Sequence, residues 1–202
     1  MDYRIDPRPR LALTHDFLAA FETDGATVLD VGSRDGAAFE RLRSRITPGR
    51  LVALDLHHRV ENGVEFLSHD LEIPLPFADD SFDCIVCTDV LEHVERKNQL
   101  AREMARVARR GVLISLPNTQ HYSYVRGLRR GDMGKQYRFD VEDGADRHRW
   151  VTYYHANTDF VARHFQIETR VDICKRRWHA SLVRLMPERY TINQYYACRP
   201  LG

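Results

Sequence analysis

The run VLDVGSRDG, Val28 to Gly36, sets an acidic residue, Asp30, in a short apolar stretch and then delivers two glycines, Gly32 and Gly36. Glycine lets a backbone turn tightly and approach a ligand closely, so this run reads as a buried strand that turns against a ligand and enters a helix. Alone, it has an ordinary explanation, because every layered α/β protein turns tightly after its strands. The next apolar run, LVALD, ends at Asp55, about twenty residues after the glycine turn, where a carboxylate can accept both hydroxyls of a ribose. Together the two runs point to a ligand with a nucleoside part. Cys84 and Cys87 form a CxxC, but residues three apart on a strand point to opposite faces, so core packing explains them better than a shared metal.

These residues need a scaffold, and short apolar runs alternating with segments of helical period supply it. Thr27 to Val31, Leu51 to Asp55, Val64 to Leu67, Phe82 to Thr88 and Val112 to Leu116 read as buried strands. Phe39, Leu42 and Ile46 fall at helical spacing, as do Leu100, Met104 and Val107. Strand and helix alternation predicts a parallel sheet in a layered α/β fold. After about residue 156 the order becomes helix (Thr158 to Phe165), strand (Ile167 to Cys174), helix (Trp178 to Met186) and strand (Thr191 to Arg199), which suggests a terminal strand pair.

The chain has 202 residues, 43% of them hydrophobic, enough for one sizeable core and too few for two ordinary domains with a linker. One domain over residues 1–202 is expected, with a ligand-binding half at about 1–117 and an insertion at about 118–156. A net charge of +1 creates no field that would draw the chain to nucleic acid or an anionic membrane, so nucleic acid is disfavoured as a partner. No stretch approaches the length of a membrane span, and the start, MDYRIDPRPR, lacks the apolar run of a secretory signal. Four cysteines suit a reducing compartment, and a cytoplasmic chain is the expectation. The basic groups Arg106, Arg109, Arg110 and Lys175 to Arg177 read as solvated faces rather than phosphate sites.

Four stretches between residues 28 and 118 carry a more specific signal: VLDVGSRDG, LVALDL, HDLEIPLPFADDSFDCIVCTDVLEHV and GVLISLPN. In this order they resemble the successive motifs of class I S-adenosylmethionine-dependent methyltransferases, in their methyltransferase type 11-like form. An NAD-binding Rossmann protein shares the first two but does not usually carry the third. The resemblance implies a Rossmann-like α/β fold: a seven-stranded sheet, mostly parallel with an antiparallel last strand, and helices on both faces. It implies S-adenosyl-L-methionine as cofactor. Asp30, Gly32 and Gly36 would surround its methionine part. Asp55 would hold the ribose, with Leu56 against the adenine. Asp70 would receive the adenine amine beside the Leu71 backbone, and Thr88 and Asp89 would line the methyl end. One departure is Arg34, where relatives commonly have glycine. A poorly formed turn there would weaken cofactor binding, which raises the alternative of a non-catalytic methyltransferase-like binding domain.

The acceptor site is expected in the irregular segment Asn118 to Tyr154, which concentrates glycines with His121, Tyr122, Tyr124, Trp150, Tyr153 and Tyr154. A small-molecule acceptor is expected, with oxygen as the receiving atom. A hydroxyl acceptor usually needs a base, and His121 and His148 are the candidate catalytic residues. His93 reads as packing at a helix start, and His155 is a further histidine nearby. Asp89, Glu92, His93 and His148 also resemble the metal-binding set of small-RNA 2′-O-methyltransferases. Those enzymes have glutamate where Asp89 stands, and DVLEHV is frequent in metal-free relatives. An RNA ribose methyltransferase using a divalent metal is therefore the alternative, with no metal as the primary expectation.

Overall fold

The structure is a computed structural model that describes residues 1–6, 14, 16–17, 25–34, 49–56, 64–131 and 148–201. The candidate helix carrying Phe39, Leu42 and Ile46, the second turn glycine Gly36, and Gly134 and Gly144 lie outside the described residues.

The strands are β1 (Asp2–Asp6), β2 (Thr27–Val31), β3 (Arg50–Asp55), β4 (Glu65–Ser68), β5 (Phe82–Thr88), β6 (Ala108–Pro117), β7 (Phe165–Cys174) and β8 (Thr191–Pro200). They form one sheet in the order β1-β7-β8-β6-β5-β2-β3-β4. The last strand, β8, runs antiparallel to both of its neighbours, β6 and β7, and every other pairing is parallel. The strands read from the sequence are all present, and one more joins them. The expected seven become eight because β1 docks in parallel on β7. DYRID is short, charged and mostly exposed, as an edge strand should be, so it carries no apolar run to announce itself. Its partner lies more than 160 residues away.

The described helices are α1 (Lys97–Val107), α2 (Tyr122–Arg129), α3 (Tyr154–His164), α4 (His179–Leu185) and α5 (Pro187–Tyr190). Alternation along the strands builds a core on each face of the sheet. Leu29, Val31, Ile85 and Cys87 pack with Leu100, Met104 and Val107 of α1 and with Phe160 and Val161 of α3. Val28, Cys84 and Val86 pack on the other face with Phe17 and Tyr195. Cys84 and Cys87 therefore belong to opposite cores, and burial raises both thiols, Cys84 to about 12. Neither is a reactive thiolate.

Arg106 of α1 does more than face solvent. Its guanidinium donates to Glu103 Oε2 (2.7 Å), Asp79 Oδ1 (2.8 Å) and the carbonyls of Leu75 (3.1 Å) and Phe77 (2.8 Å). Arg109 similarly donates to Asp83 Oδ1 and the Asp80 carbonyl. The LPF loop is thus pinned to the helix that follows β5, and Arg106 holds the Glu103 carboxyl below its ordinary range. The residues Lys175 to Arg177 are exposed.

Candidate cofactor and acceptor site

Because β2, β3, β4 and β5 are parallel, their C-terminal ends share one edge of the sheet. The turn after β2 is stitched to the end of β3: Gly32 and Ser33 donate their N–H groups to the Leu54 carbonyl (2.7 and 3.1 Å). The Arg34 N–H donates to Asp55 Oδ2 (2.9 Å). Gly32 has φ +73, and a Cβ there would lie 2.4 Å from Val90 Cγ2. Both backbone conformation and crowding require glycine. Arg34 is also left-handed, at φ 50. A side chain in that region costs on the order of 1 kcal/mol, and the bond to Asp55 helps to hold it there. The turn forms with arginine in place of the common glycine.

Gly32→Ala should therefore lower stability by about 2 kcal/mol or more, combining left-handed strain with overpacking against Val90. Adding Val90→Ala should restore the overpacking share. Thermal unfolding of the two variants checks this, and equal melting temperatures would show that crowding contributes nothing.

Asp30 is buried in β2, and Thr88 is half-buried at the end of β5. Leu56 follows Asp55 and is 47% exposed, an apolar surface beside a carboxylate. Asp70 is exposed beyond the end of β4, where its Oδ1 accepts the Glu72 N–H (2.9 Å), and Leu71 packs partly on the core. Ser33 Oγ is buried without a hydrogen-bond partner among the described residues. Two carboxylates at neighbouring strand ends, an apolar face and a buried polar atom in the turn suit a ligand with a flat ring, hydroxyls and an amine. These residues fit S-adenosylmethionine.

Asp89 is also left-handed, at φ 56. Its Oδ1 accepts from Ser115 Oγ (2.9 Å) and Asn193 Nδ2 (2.8 Å), and its N–H donates to Ser115 Oγ. Asp89 is thereby fixed to β6 and β8.

The two candidate histidines fall in different clusters. His121 is fully buried at the N-cap of α2, against Tyr122 (rings 4.3 Å apart). Tyr122 in turn contacts His179 and Tyr190, at 5.8 and 5.9 Å. The Ser123 N–H donates to His121 Nδ1, so the neutral ring carries its hydrogen on Nε2. Burial, with the charges of His179 and Lys175, pushes His121 down to about 4. Nε2 of His121 and Nδ1 of the buried His179 have no hydrogen-bond partner among the described residues. His148 instead meets His93, with rings 4.6 Å apart and nearly perpendicular. Glu92 and His93 sit in a turn, not on the helix expected there, since α1 begins only at Lys97.

Residues 29–116 match the family model described as "Methyltransferase domain". That stretch is similar to the methyltransferase domains of class I S-adenosylmethionine-dependent enzymes. The ubiquinone/menaquinone biosynthesis C-methyltransferase UbiE of Hahella chejuensis is 33% identical over 101 residues, 43% of this chain and 40% of that protein. The chain thus spans about two-fifths of the length of the curated relatives it matches. An S-adenosylmethionine-dependent methyltransferase from Mesorhizobium loti superposes with TM-score 0.64 at 18% identity, over 91% of this chain and 96% of the other. Magnesium protoporphyrin IX methyltransferase from Synechocystis PCC 6803, with bound SAH, gives 0.62 at 15% identity over 94% and 81%. At such identities the likeness is one of fold.

Three polar residues carry little signal in the sequence: Ser115, His179 and Asn193. Asn193 and Gln194 offered a signal, being two amides in the middle of an otherwise apolar strand, and both are buried. His179 offered none, because its neighbours Tyr122 and Tyr190 come together only in the fold. Among the described residues no helix is long and apolar enough to cross a membrane.

Proposed function

We propose that this single domain transfers the methyl group of S-adenosylmethionine to a small-molecule acceptor, with oxygen as the receiving atom. The observation that carries the reading is the cluster of buried His121 and His179 with half-buried Tyr122 and Tyr190, whose two histidine nitrogens lack partners among the described residues. Buried polar atoms are nearly always satisfied, so such a pair beside aromatic surface marks a place for a ligand's polar group. The cluster is linked to the cofactor edge through β8: Asn118, before α2, bonds the Glu188 and Thr191 carbonyls (2.7 Å each), and Asn193 bonds Asp89.

The sulfonium of the bound cofactor supplies an activated methyl, which leaves the protein to orient the acceptor and exclude water. With its hydrogen on Nε2, His121 is suited to donate to an acceptor oxygen that arrives ionised, as a carboxylate or phenolate, so that forming the O–CH3 bond and breaking the S–CH3 bond leaves S-adenosylhomocysteine and no proton to place; its low affinity for protons keeps it neutral at ordinary pH. The name of the Hahella relative makes carbon the competing receiving atom.

The test is turnover of S-adenosylmethionine carrying a 13C methyl, with panels of hydroxylated aromatics and hydroxy acids. NMR separates oxygen-bound from carbon-bound methyl. An oxygen-bound methyl is expected, with kcat/KM lowered about tenfold or more in His121→Phe and S-adenosylhomocysteine affinity unchanged. A carbon-bound methyl would overturn the acceptor assignment. Tight cofactor binding with no turnover would favour a binding domain.

A further inference from the structure

The net charge of +1 conceals a segregation. Residues 122–131 and 175–190 hold eight of the 30 basic side chains and one of the 29 acidic ones, so these two segments carry +7 and the rest of the chain −6. All eight cations are exposed, and none is ion-paired among the described residues. The single acid, Glu188, is bonded to His155 (3.0 Å). The fold brings the two segments together. Tyr122 of α2 meets His179 of α4 and Tyr190 of α5, and Lys175 lies close enough to hold protons off both His121 and His179. They stand at the edge of the sheet where β6 ends, because Pro117 pairs with Asn193 near the start of β8. Large apolar side chains lie in water among these cations: Trp178 is 62% exposed and Leu185 77%, and Leu128 and Met186 are exposed as well.

We propose that this surface docks on a bilayer containing anionic lipid. Cations attract anionic headgroups from a distance, and apolar side chains then hold the protein by entering the boundary between headgroups and acyl chains. Tryptophan favours that boundary because its ring is apolar and its N–H is polar. The negative remainder of the chain is repelled by the same headgroups, which fixes the orientation. The aliphatic side chains decide between kinds of polyanion. A nucleic acid offers phosphates and flat bases, against which Leu185 and Met186 would stay in water, whereas a bilayer covers them. His179 follows Trp178 and touches its ring, with centroids 4.1 Å apart, so the histidine cluster lies directly behind this surface. Docking turns the acceptor site toward the bilayer. That consequence rests on the acceptor reading above, whereas the surface itself rests on charge and exposure.

The test mixes the full chain with vesicles of phosphatidylcholine alone, or of phosphatidylcholine and phosphatidylglycerol in equal parts, and follows co-sedimentation and tryptophan emission. Binding to the anionic vesicles should be at least about tenfold tighter and should weaken as salt is raised. Trp178 should shift its emission to the blue as it leaves water, and Trp178→Phe should abolish the shift although Trp150 remains. Arg176→Glu should weaken binding about tenfold or more, and Arg163→Glu, the same change of charge at an exposed site on α3, less than about twofold. Leu185→Ser should weaken it several-fold with the salt dependence unchanged. Absence of binding to anionic vesicles, equal affinity for the two compositions, or equal loss in the two arginine variants would overturn the surface. Mixed-sequence RNA bound more tightly than the anionic vesicles, with no loss in Leu185→Ser, would give the surface to nucleic acid and overturn the lipid assignment. Circular dichroism checks the fold of each variant, and S-adenosylhomocysteine affinity measured on the same samples separates failure of this surface from failure of the cofactor reading.

Discussion

Asp55→Ala is expected to weaken S-adenosylhomocysteine binding at least about 100-fold. At the end of β3, Asp55 has one observed task and one that the resemblance implies. Its Oδ2 accepts the Arg34 N–H at 2.9 Å and so steadies the left-handed turn, and the same carboxylate is assigned to the ribose hydroxyls. Hydrogen bonds to a charged group are worth about 1.5 to 3 kcal/mol each, and losing two to the ribose accounts for the factor. Asp55→Asn keeps an acceptor oxygen of the same shape and gives up the charge, so it should fall between, at about tenfold. Calorimetric titration of the three proteins makes the comparison. Unchanged affinity in Asp55→Ala would remove the ribose role and, with it, the assignment of this strand edge to the cofactor.

Most of what that prediction uses could be read before the fold was seen. Motif order and the resemblance it carries singled out Asp30, Gly32, Asp55, Asp70 and Asp89; Gly32, Asp55 and Asp89 stand at or just past the ends of buried strands, and a buried parallel strand announces itself by composition. Legibility ended where long-range contacts decide local structure. The stretch after DVLEHV looks helical from Glu92 onward, yet α1 begins at Lys97. Glu72, from the loop after β4, accepts the N–H groups of Glu95 and Arg96 at 2.7 and 2.9 Å and so fixes the turn that leads into α1 from about twenty residues away. A propensity argument cannot see a turn held by another loop. The acceptor side was legible as a segment and not as a site. Its histidines are visible in the sequence, but their division into one cluster with His179 and another with Glu92 depends on how residues 118–131 and 148–153 pack.

Asp172→Ala should cost about 3 to 5 kcal/mol of folding stability, more than any other single change considered. Asp172 lies on β7 between the edge strand β1 and the reversed strand β8, and it is fully buried. Its Oδ2 accepts from Tyr154 (2.5 Å), Tyr3 (3.0 Å) and Thr191 (3.3 Å), while Arg170 Nε stands 3.3 Å from Oδ1. One carboxylate thus ties together β1, α3 and the start of β8. Burial and the neighbouring Asp172 charge raise both tyrosines, so they remain neutral donors throughout the working range of pH. Alanine would leave the Arg170 guanidinium, only 12% exposed, without its carboxylate and three hydroxyls without their acceptor. Replacing the pair together, Arg170→Met with Asp172→Leu, should recover part of the loss, because removing both buried charges is far less damaging than removing one. Tyr3→Phe should cost only about 1 kcal/mol, the worth of one bond from the edge strand. Urea unfolding of the four proteins measures the series. If Asp172→Ala were within about 0.5 kcal/mol of wild type, the range of an ordinary surface substitution, water would have to replace the network, and β1 would owe its place to backbone pairing alone.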